Sequence, residues 1–246
     1  MDHVTPGRYD SQHYISECEC DFALRLNMGG LLRLVQTAAT RHCTLIGIGP
    51  EKYEETHTAF LLAKLCARVY RDIPAGEEVE VSTRPSSAIR AVYHRYTTVC
   101  LEDGTLAAAV DARWVLVDTQ TRRILRRTPP EFGTVFDGIP VQGEEFPVQI
   151  AKPGEELTFL GEEKALYSRC DQNGHINNTR YADMICDYLP LELFSQGPMR
   201  ELRISYHREV PMGKAMGLWS HQTGPKEYYF LGRSGEQDCF EAMASF

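Results

Sequence analysis

Hydrophobic and polar positions along the 246-residue chain alternate between two rhythms, and the sequence of rhythms occurs twice. Leu31, Leu34, Val35, Ala38 and Ala39 recur at helical spacing, which predicts a helix from about Gly30 to Gly47. The alanines on its apolar face let a sheet approach closely. From Thr58 to Tyr70 the period drops to two. Leu61, Ala63, Leu65, Ala67 and Val69 alternate with Lys64 and Arg68, as in a strand with one buried face. Further strands are predicted at Val79–Thr83, Ala91–Leu101 and Leu106–Val117. Turns fall at Ile73-Pro74-Ala75-Gly76 and at Glu102-Asp103-Gly104, and the second closes a β-hairpin.

The later part of the chain repeats this order. A strand ends near Cys170, and a helix runs from about Asn178 to Leu189 before Pro190, with Tyr181, Met184, Ile185 and Tyr188 on one face. Strands follow at Met199–Glu209, Lys214–His221, Glu227–Gly232 and Asp238–Phe246. Arg71-Asp72-Ile73-Pro74-Ala75-Gly76 returns as Arg208-Glu209-Val210-Pro211-Met212-Gly213. The stretch from Thr128 to Glu156, rich in Pro, Gly and acidic residues, reads as a linker. The expected division is a first unit over 1–130, a linker over 131–156 and a second unit over 157–246. Duplication of one helix plus an antiparallel sheet points to a fused pair of α+β units.

Bulk composition narrows the function. With 26 basic and 34 acidic residues the net charge is −8, which excludes nucleic-acid binding by overall electrostatics. No apolar run reaches the roughly 18 residues of a membrane span. The first residues lack signal- or transit-peptide character, so a cytoplasmic bacterial protein is expected. The eight cysteines form no Cys-x-x-Cys and have no His-x(3–5)-His partner, so neither a metal nor any other cofactor is expected. Cys18 and Cys20 would share a face if their segment were a strand.

The chemistry concentrates in Cys170-Asp171-Gln172-Asn173-Gly174-His175-Ile176-Asn177-Asn178. In an extended segment a carboxylate, an amide and an imidazole at alternate positions point the same way. They would lie just ahead of a helix N-terminus, where free N–H groups favour negative charge. A helix-entry turn also favours Asp and Asn, and Asn177 or Asn178 is read as a cap. A cap accounts for one residue, not three. Aligning the helix starts, Gly29-Gly30 with Asn177-Asn178, sets Asp171, Asn173 and His175 opposite Ala23, Arg25 and Asn27. On that register the trio exists only in the second half.

The pattern Asp-x-Asn-x-His-Ile-Asn-Asn-x-x-Tyr resembles the signature of the acyl-ACP thioesterases of plant plastids and bacteria. The resemblance extends to Tyr9–Cys20, to Leu31–Gly47, and to Ala112-Arg113-Trp114-Val115-Leu116-Val117-Asp118 with Thr121-Arg122-Arg123 and Pro129. It implies a double hotdog fold, hydrolysis of fatty acyl thioesters on acyl carrier protein, an acyl cavity in the first half and catalysis in the second. It also places Asp171, Asn173, His175 and Glu209 in the site. Asn173 can orient water or hold the carbonyl. His175 can donate to the oxyanion or move a proton. Asp171 can fix the imidazole tautomer, and Glu209 can act as general base. The alternative for Glu209 is a strand-ending acid paired with Arg, as for Asp72 in the first half. Arg203, Ser205, His207 and Glu209 are expected on one strand face.

Two positions depart from the family. Plant members carry a cysteine after this Glu, where Val210 stands here, which excludes a Cys–His mechanism at that position. Cys170 is one residue off the trio and is read as core packing. Met184 replaces a common aromatic residue. Acyl carrier protein is acidic, so a basic patch is expected, and Arg122, Arg123, Arg126 and Arg127 form the densest cluster. A solvated strand edge explains that cluster equally well. An acyl-CoA thioesterase, a hydratase or dehydratase on the same fold, and a non-catalytic acyl-binding protein are the competing functions, and a homodimer is left open.

Overall fold

The computed structural model describes residues 3–246. The first half contains β1 (His3–Thr5), β2 (Arg8–Tyr14), α1 (Met28–Leu45), α2 (Pro50–Thr56), β3 (Thr58–Val69), β4 (Glu78–Ile89), β5 (Val92–Leu101) and β6 (Leu106–Asp118). The second half contains β7 (Thr158–Lys164), α3 (Arg180–Asp187), α4 (Leu191–Gln196), β8 (Glu201–Tyr206), β9 (Ala215–Gly224), β10 (Glu227–Ser234) and β11 (Gln237–Ser245).

Among the described residues the strands form one sheet, ordered β1-β2-β4-β5-β6-β3-β8-β11-β10-β9-β7. From β2 inward the first half reads β2-β4-β5-β6-β3. From the opposite edge the second reads β7-β9-β10-β11-β8. The two are the same unit related by a pseudo-twofold axis between β3 and β8. There Lys64 lies opposite Ser205 and Arg68 opposite Glu201, with Arg68 Nε 2.6 Å from the Glu201 carboxylate.

The apolar face of α1 lies on the sheet. Leu31 and Ala38 share a cluster with Val110 and Ala112 of β6, with Ala182 and Ile185 of α3, and with Leu202 and Phe240. The two central helices approach closely because Gly29 has no side chain. A Cβ there would sit 1.7 Å from Asp183 Oδ1, whose other carboxylate oxygen accepts from Arg33 Nη1 at 2.7 Å. This is the double hotdog architecture that the sequence led us to expect. The connection after β6 contains no strand. It lays Phe146 and Val148 against Cys66, Tyr96 and Ala109, on the sheet face opposite α1. Burial pushes the Cys66 thiol up to about 12, so it packs as a small apolar group.

Several boundaries differ from those predicted. α2 and the six-residue α4 are too short for apolar periodicity to reveal them. β4 continues past Pro85, which sits at a register shift where no ladder hydrogen bond is required of it. β7 ends at Lys164, well before Cys170. β8 ends at Tyr206, so His207 and Glu209 lie beyond it and do not continue a face with Arg203 and Ser205. His207 Nε2 instead faces Glu241 at 3.0 Å. Cys18 and Cys20 lie at a 3-10 turn rather than on a strand.

Candidate active site

The segment from Asp171 to Asn177 is a tight loop rather than an extended strand. Asp171 N donates to His175 O at 3.1 Å, and Gly174 N to Asp171 O at 3.0 Å. Asp171 Oδ1 accepts from Asn173 N at 2.9 Å, an Asx turn. Gly174 supplies the positive φ of 75° that closes the loop. The three polar side chains therefore do not share one face, contrary to the extended reading.

The first half contains the same loop, and its hydrogen bonds correct the register. Asp21 N donates to Arg25 O at 2.7 Å, and Asp21 Oδ1 accepts from Ala23 N at 2.9 Å. Cys20 pairs with Leu26 as Cys170 pairs with Ile176. Arg25 bridges to Pro74 as His175 bridges to Pro211. Asp171, Asn173, His175 and Asn177 thus correspond to Asp21, Ala23, Arg25 and Asn27. The aspartate is common to both halves and shapes the loop in both. What distinguishes the second half is Asn173 and His175.

Asp171 does not contact the imidazole. Its Oδ2 accepts from Asn177 Nδ2 at 3.1 Å. His175 is held by the backbone: Nδ1 donates to Ile176 O at 3.3 Å, which fixes the tautomer. That leaves Nε2 toward Glu209, whose Oε1 is 3.6 Å away. The ring is mostly buried and Glu209 is half exposed, so water reaches the carboxylate side of the pair. The first half puts permanent charges at the same places. Arg25 lies 4.0 Å from Asp72 and is locked by Asp21 Oδ2 at 2.8 Å, while Asp72 also meets Arg200 at 3.2 Å. A titratable ring replaces a fixed cation only beside Glu209. Asn173 is exposed at the loop tip, and its side-chain amide has no partner among the described residues.

Behind the loop, Asn177 Oδ1 accepts from Thr179 N at 3.0 Å and from Thr179 Oγ1 at 2.8 Å. Asn177 thereby organises the entry to α3, whose own cap residue is Thr179. Tyr206 OH donates to Asn178 O at 2.9 Å, and burial keeps this phenol far above its ordinary range. Asn178, Thr179 and Tyr206 line one side of a narrow apolar cleft that extends under α1, past Val35, Ala39 and Leu65. Val35 of the helix pattern faces this cleft. Leu34 packs in the core without lining it, and Leu61 points outward, 39% exposed. The β-bulge after Leu62 turns Leu62 and Leu65 inward instead. Met184 is buried but does not line the cleft.

Val210 is fully buried and Cys170 packs against the core. Burial, then Asp171, raises the Cys170 thiol, which opposes thiolate chemistry there. Arg122, Arg123, Arg126 and Arg127 are all exposed just after β6. β6 and β8 run parallel with β3 between them, so this cluster leaves the sheet at the same end as Glu209.

Comparison with known proteins shows where this arrangement belongs. Residues 6–135 match the acyl-ACP thioesterase N-terminal domain and residues 161–238 the acyl-ACP thioesterase C-terminal domain. The chain belongs to the acyl-ACP thioesterase family. Relatives within this family include the chloroplastic oleoyl-acyl carrier protein thioesterase 2 of Arabidopsis thaliana, 22% identical over 80% of this chain and 58% of its own. The chloroplastic palmitoyl-acyl carrier protein thioesterase of Gossypium hirsutum is 24% identical over 73% of this chain and 46% of its own. The chain spans about half the length of these plant relatives. An acyl-ACP thioesterase from Bacteroides thetaiotaomicron shares the fold at a TM-score of 0.83, with 21% identity over 97% of both chains. The 12:0-ACP thioesterase from Umbellularia californica does so at 0.82, with 18% identity over 97% of this chain and 96% of that one.

Sequence reasoning missed Asn178 as a cleft residue and Tyr206 as its anchor. Alternation along β8, which puts Tyr206 on the buried face with Leu202 and Ile204, was the available signal for the second.

Proposed function

We propose that this family member hydrolyses the thioester of a fatty acyl group carried on acyl carrier protein and releases the free acid. The observation that carries the reading is the His175–Glu209 pair. It occurs in one half only, three residues from Asn178 and Tyr206, which open the apolar cleft. Glu209, directly or through His175, takes a proton from water, and the water oxygen attacks the thioester carbonyl carbon. The C–S bond then breaks, and the proton taken from water passes from the His175–Glu209 pair to the departing sulfur. Asn173 supplies an amide donor for the carbonyl oxygen or the water. Asp171 acts through the loop it shapes. In this scheme residues 1–130 supply the acyl cavity, 131–156 connect, and 157–246 supply the chemistry.

For the carrier, we assign docking to the four-arginine cluster. It is a local positive patch on an acidic chain and lies at the Glu209 end of the sheet, where an acidic partner would deliver its acyl group. Hydrolysis measured across a panel of acyl-ACP chain lengths, with the matching acyl-CoA esters beside them, tests the whole reading. Activity on acyl-ACP is expected to exceed that on acyl-CoA. Reversing the four arginines to glutamate should raise KM for acyl-ACP and leave kcat in place. Absence of hydrolysis with every acyl-ACP would refute the assignment.

A further inference from the structure

The cleft contains two groups that a hydrocarbon pocket does not require. Arg95, 7% exposed, is one of its lining residues. Its Nη1 donates to His42 Nδ1 at 3.1 Å and Thr83 Oγ1 at 3.3 Å, and its Nη2 to Cys43 Sγ at 3.4 Å. None of the three acceptors is a carboxylate. His42 is fully buried, and its Nε2 donates to Thr5 O at 2.8 Å. Nδ1 is then the lone-pair nitrogen, and burial together with Arg95 lowers the imidazole to about 4. No carboxylate lies within 4.0 Å of Arg95 among the described residues, so a buried guanidinium has no counter-charge. Such a charge is normally paired.

The second group is the indole of Trp114, which also lines the cleft. Its Nε1–H is buried without a partner. The sheet register relates the two. Arg95 lies opposite Ala112, Ala112 opposite Leu65, and Leu65 opposite Ile204. Trp114 is two residues from Ala112 and so on the same face, as Tyr206 is from Ile204. The arginine is therefore three strand spacings, about 14 Å, from the β8 wall where the catalytic half begins. Both unmatched groups are hydrogen-bond donors, and both lie on the first-half side of an otherwise apolar channel.

We propose that the acyl group taken into this cleft ends in a carboxylate, so that the substrate class is the carrier-bound monothioester of a medium-chain dicarboxylic acid. The terminal carboxylate receives the Arg95 guanidinium and the Trp114 N–H, while the methylenes lie along Val35, Ala39 and Leu65. A guanidinium and a carboxylate match in charge and in planar geometry. A plain methyl end would leave the guanidinium charge without a counter-charge and the indole N–H without a partner. This specificity rests on the thioesterase reading above.

The test compares kcat/KM for plain and terminal-carboxyl acyl-ACP of matched length, octanoyl to dodecanoyl, in wild type, Trp114→Phe and Arg95→Met. Calorimetric binding of the free medium-chain dicarboxylic and monocarboxylic acids is measured alongside. Wild type is expected to favour the carboxyl-ended substrate by about tenfold or more, the size of a charge-assisted hydrogen bond. Trp114→Phe should reduce that ratio severalfold, and Arg95→Met should abolish or invert it. Where Arg95→Met does not fold, the Trp114→Phe ratio decides. Equal or better use of plain chains by wild type, or a ratio unmoved by Trp114→Phe, overturns the proposal. If no acyl-ACP of either kind is hydrolysed, the thioesterase reading fails, and the calorimetric preference still decides what the cleft accepts.

Discussion

The duplicated fold contains its own control for the role of Glu209. Glu209 and Asp72 occupy equivalent positions, each facing the basic residue of its half's loop: His175 at 3.6 Å and Arg25 at 4.0 Å. Both carboxylates are about half exposed. Asp72 also pairs with Arg200 at 3.2 Å. Asp72→Asn keeps the shape and removes these surface ion pairs, which are worth about 0–1 kcal/mol. For a chain of this size that lowers Tm by no more than about 4 °C. Glu209→Gln removes one contact rather than two, so its effect on Tm should be equal or smaller. Turnover should separate the two. An amide cannot accept a proton from water, and loss of a general base costs about 10²- to 10⁴-fold. Steady-state hydrolysis of acyl-ACP with both variants, beside thermal melts, gives the answer. A Glu209→Gln enzyme with wild-type kcat would remove Glu209 from the chemistry. A Glu209→Gln whose loss of rate tracks a large loss of Tm would make it a structural acid like Asp72.

Three further outcomes are expected. His175→Arg installs the side chain that the first half tolerates at the equivalent Arg25, so Tm should move by only a few degrees while hydrolysis falls about 10²-fold or more; substantial residual turnover would refute the assignment of His175. Gly30→Ala should destabilise by about 1–3 kcal/mol in urea melts, although alanine favours helices by about 1 kcal/mol, because the new Cβ would lie 2.6 Å from the Glu19 carbonyl oxygen. Neutral His42 should make the fold acid-sensitive. With its folded value at about 4 and an unfolded value near 6.5, the unfolded chain binds more protons between them. Its contribution is complete above about pH 6.5 and is lost as pH falls toward 4, by up to roughly 3 kcal/mol. His42→Gln should flatten that part of the Tm–pH curve, and an unchanged curve would contradict the buried neutral state.

The long apolar periodicities made most of this fold readable in advance. α1, strands β3 to β6 and β8 to β11, and the Arg71–Gly76 and Arg208–Gly213 repeats follow from patterns that burial on one face enforces. The His175–Glu209 pair was legible through motif resemblance, not through spacing, since the two residues meet only when the loop folds against the turn after β8. The register between the halves was misread because helix starts were used as the ruler. α1 begins at Met28 behind an Asn27 cap. α3 begins only at Arg180, because Asn177 binds Thr179 and delays the helix. Asp171 was therefore credited with a role toward the imidazole, when Asp21 performs the same loop-forming task where there is no imidazole. Arg95 gave no signal at all. On a strand pattern it reads as a solvent-side residue, and only the closure of α1 over the sheet shows it to be inside.

The seam between β3 and β8 has a consequence for how such a chain can change. Were the two units separate identical subunits, every substitution would appear twice, once at each equivalent position of a symmetric pair. A widened cavity would then widen beside both catalytic loops, and a lost histidine would be lost from both. Joined through one peptide chain, the units are free to diverge. On the proposed reading, Ala23 and Arg25 were free to leave the chemistry while Arg95 and Trp114 shaped the channel, neither change being imposed on the other half. One copy would then keep the reaction while the other chooses what is brought to it.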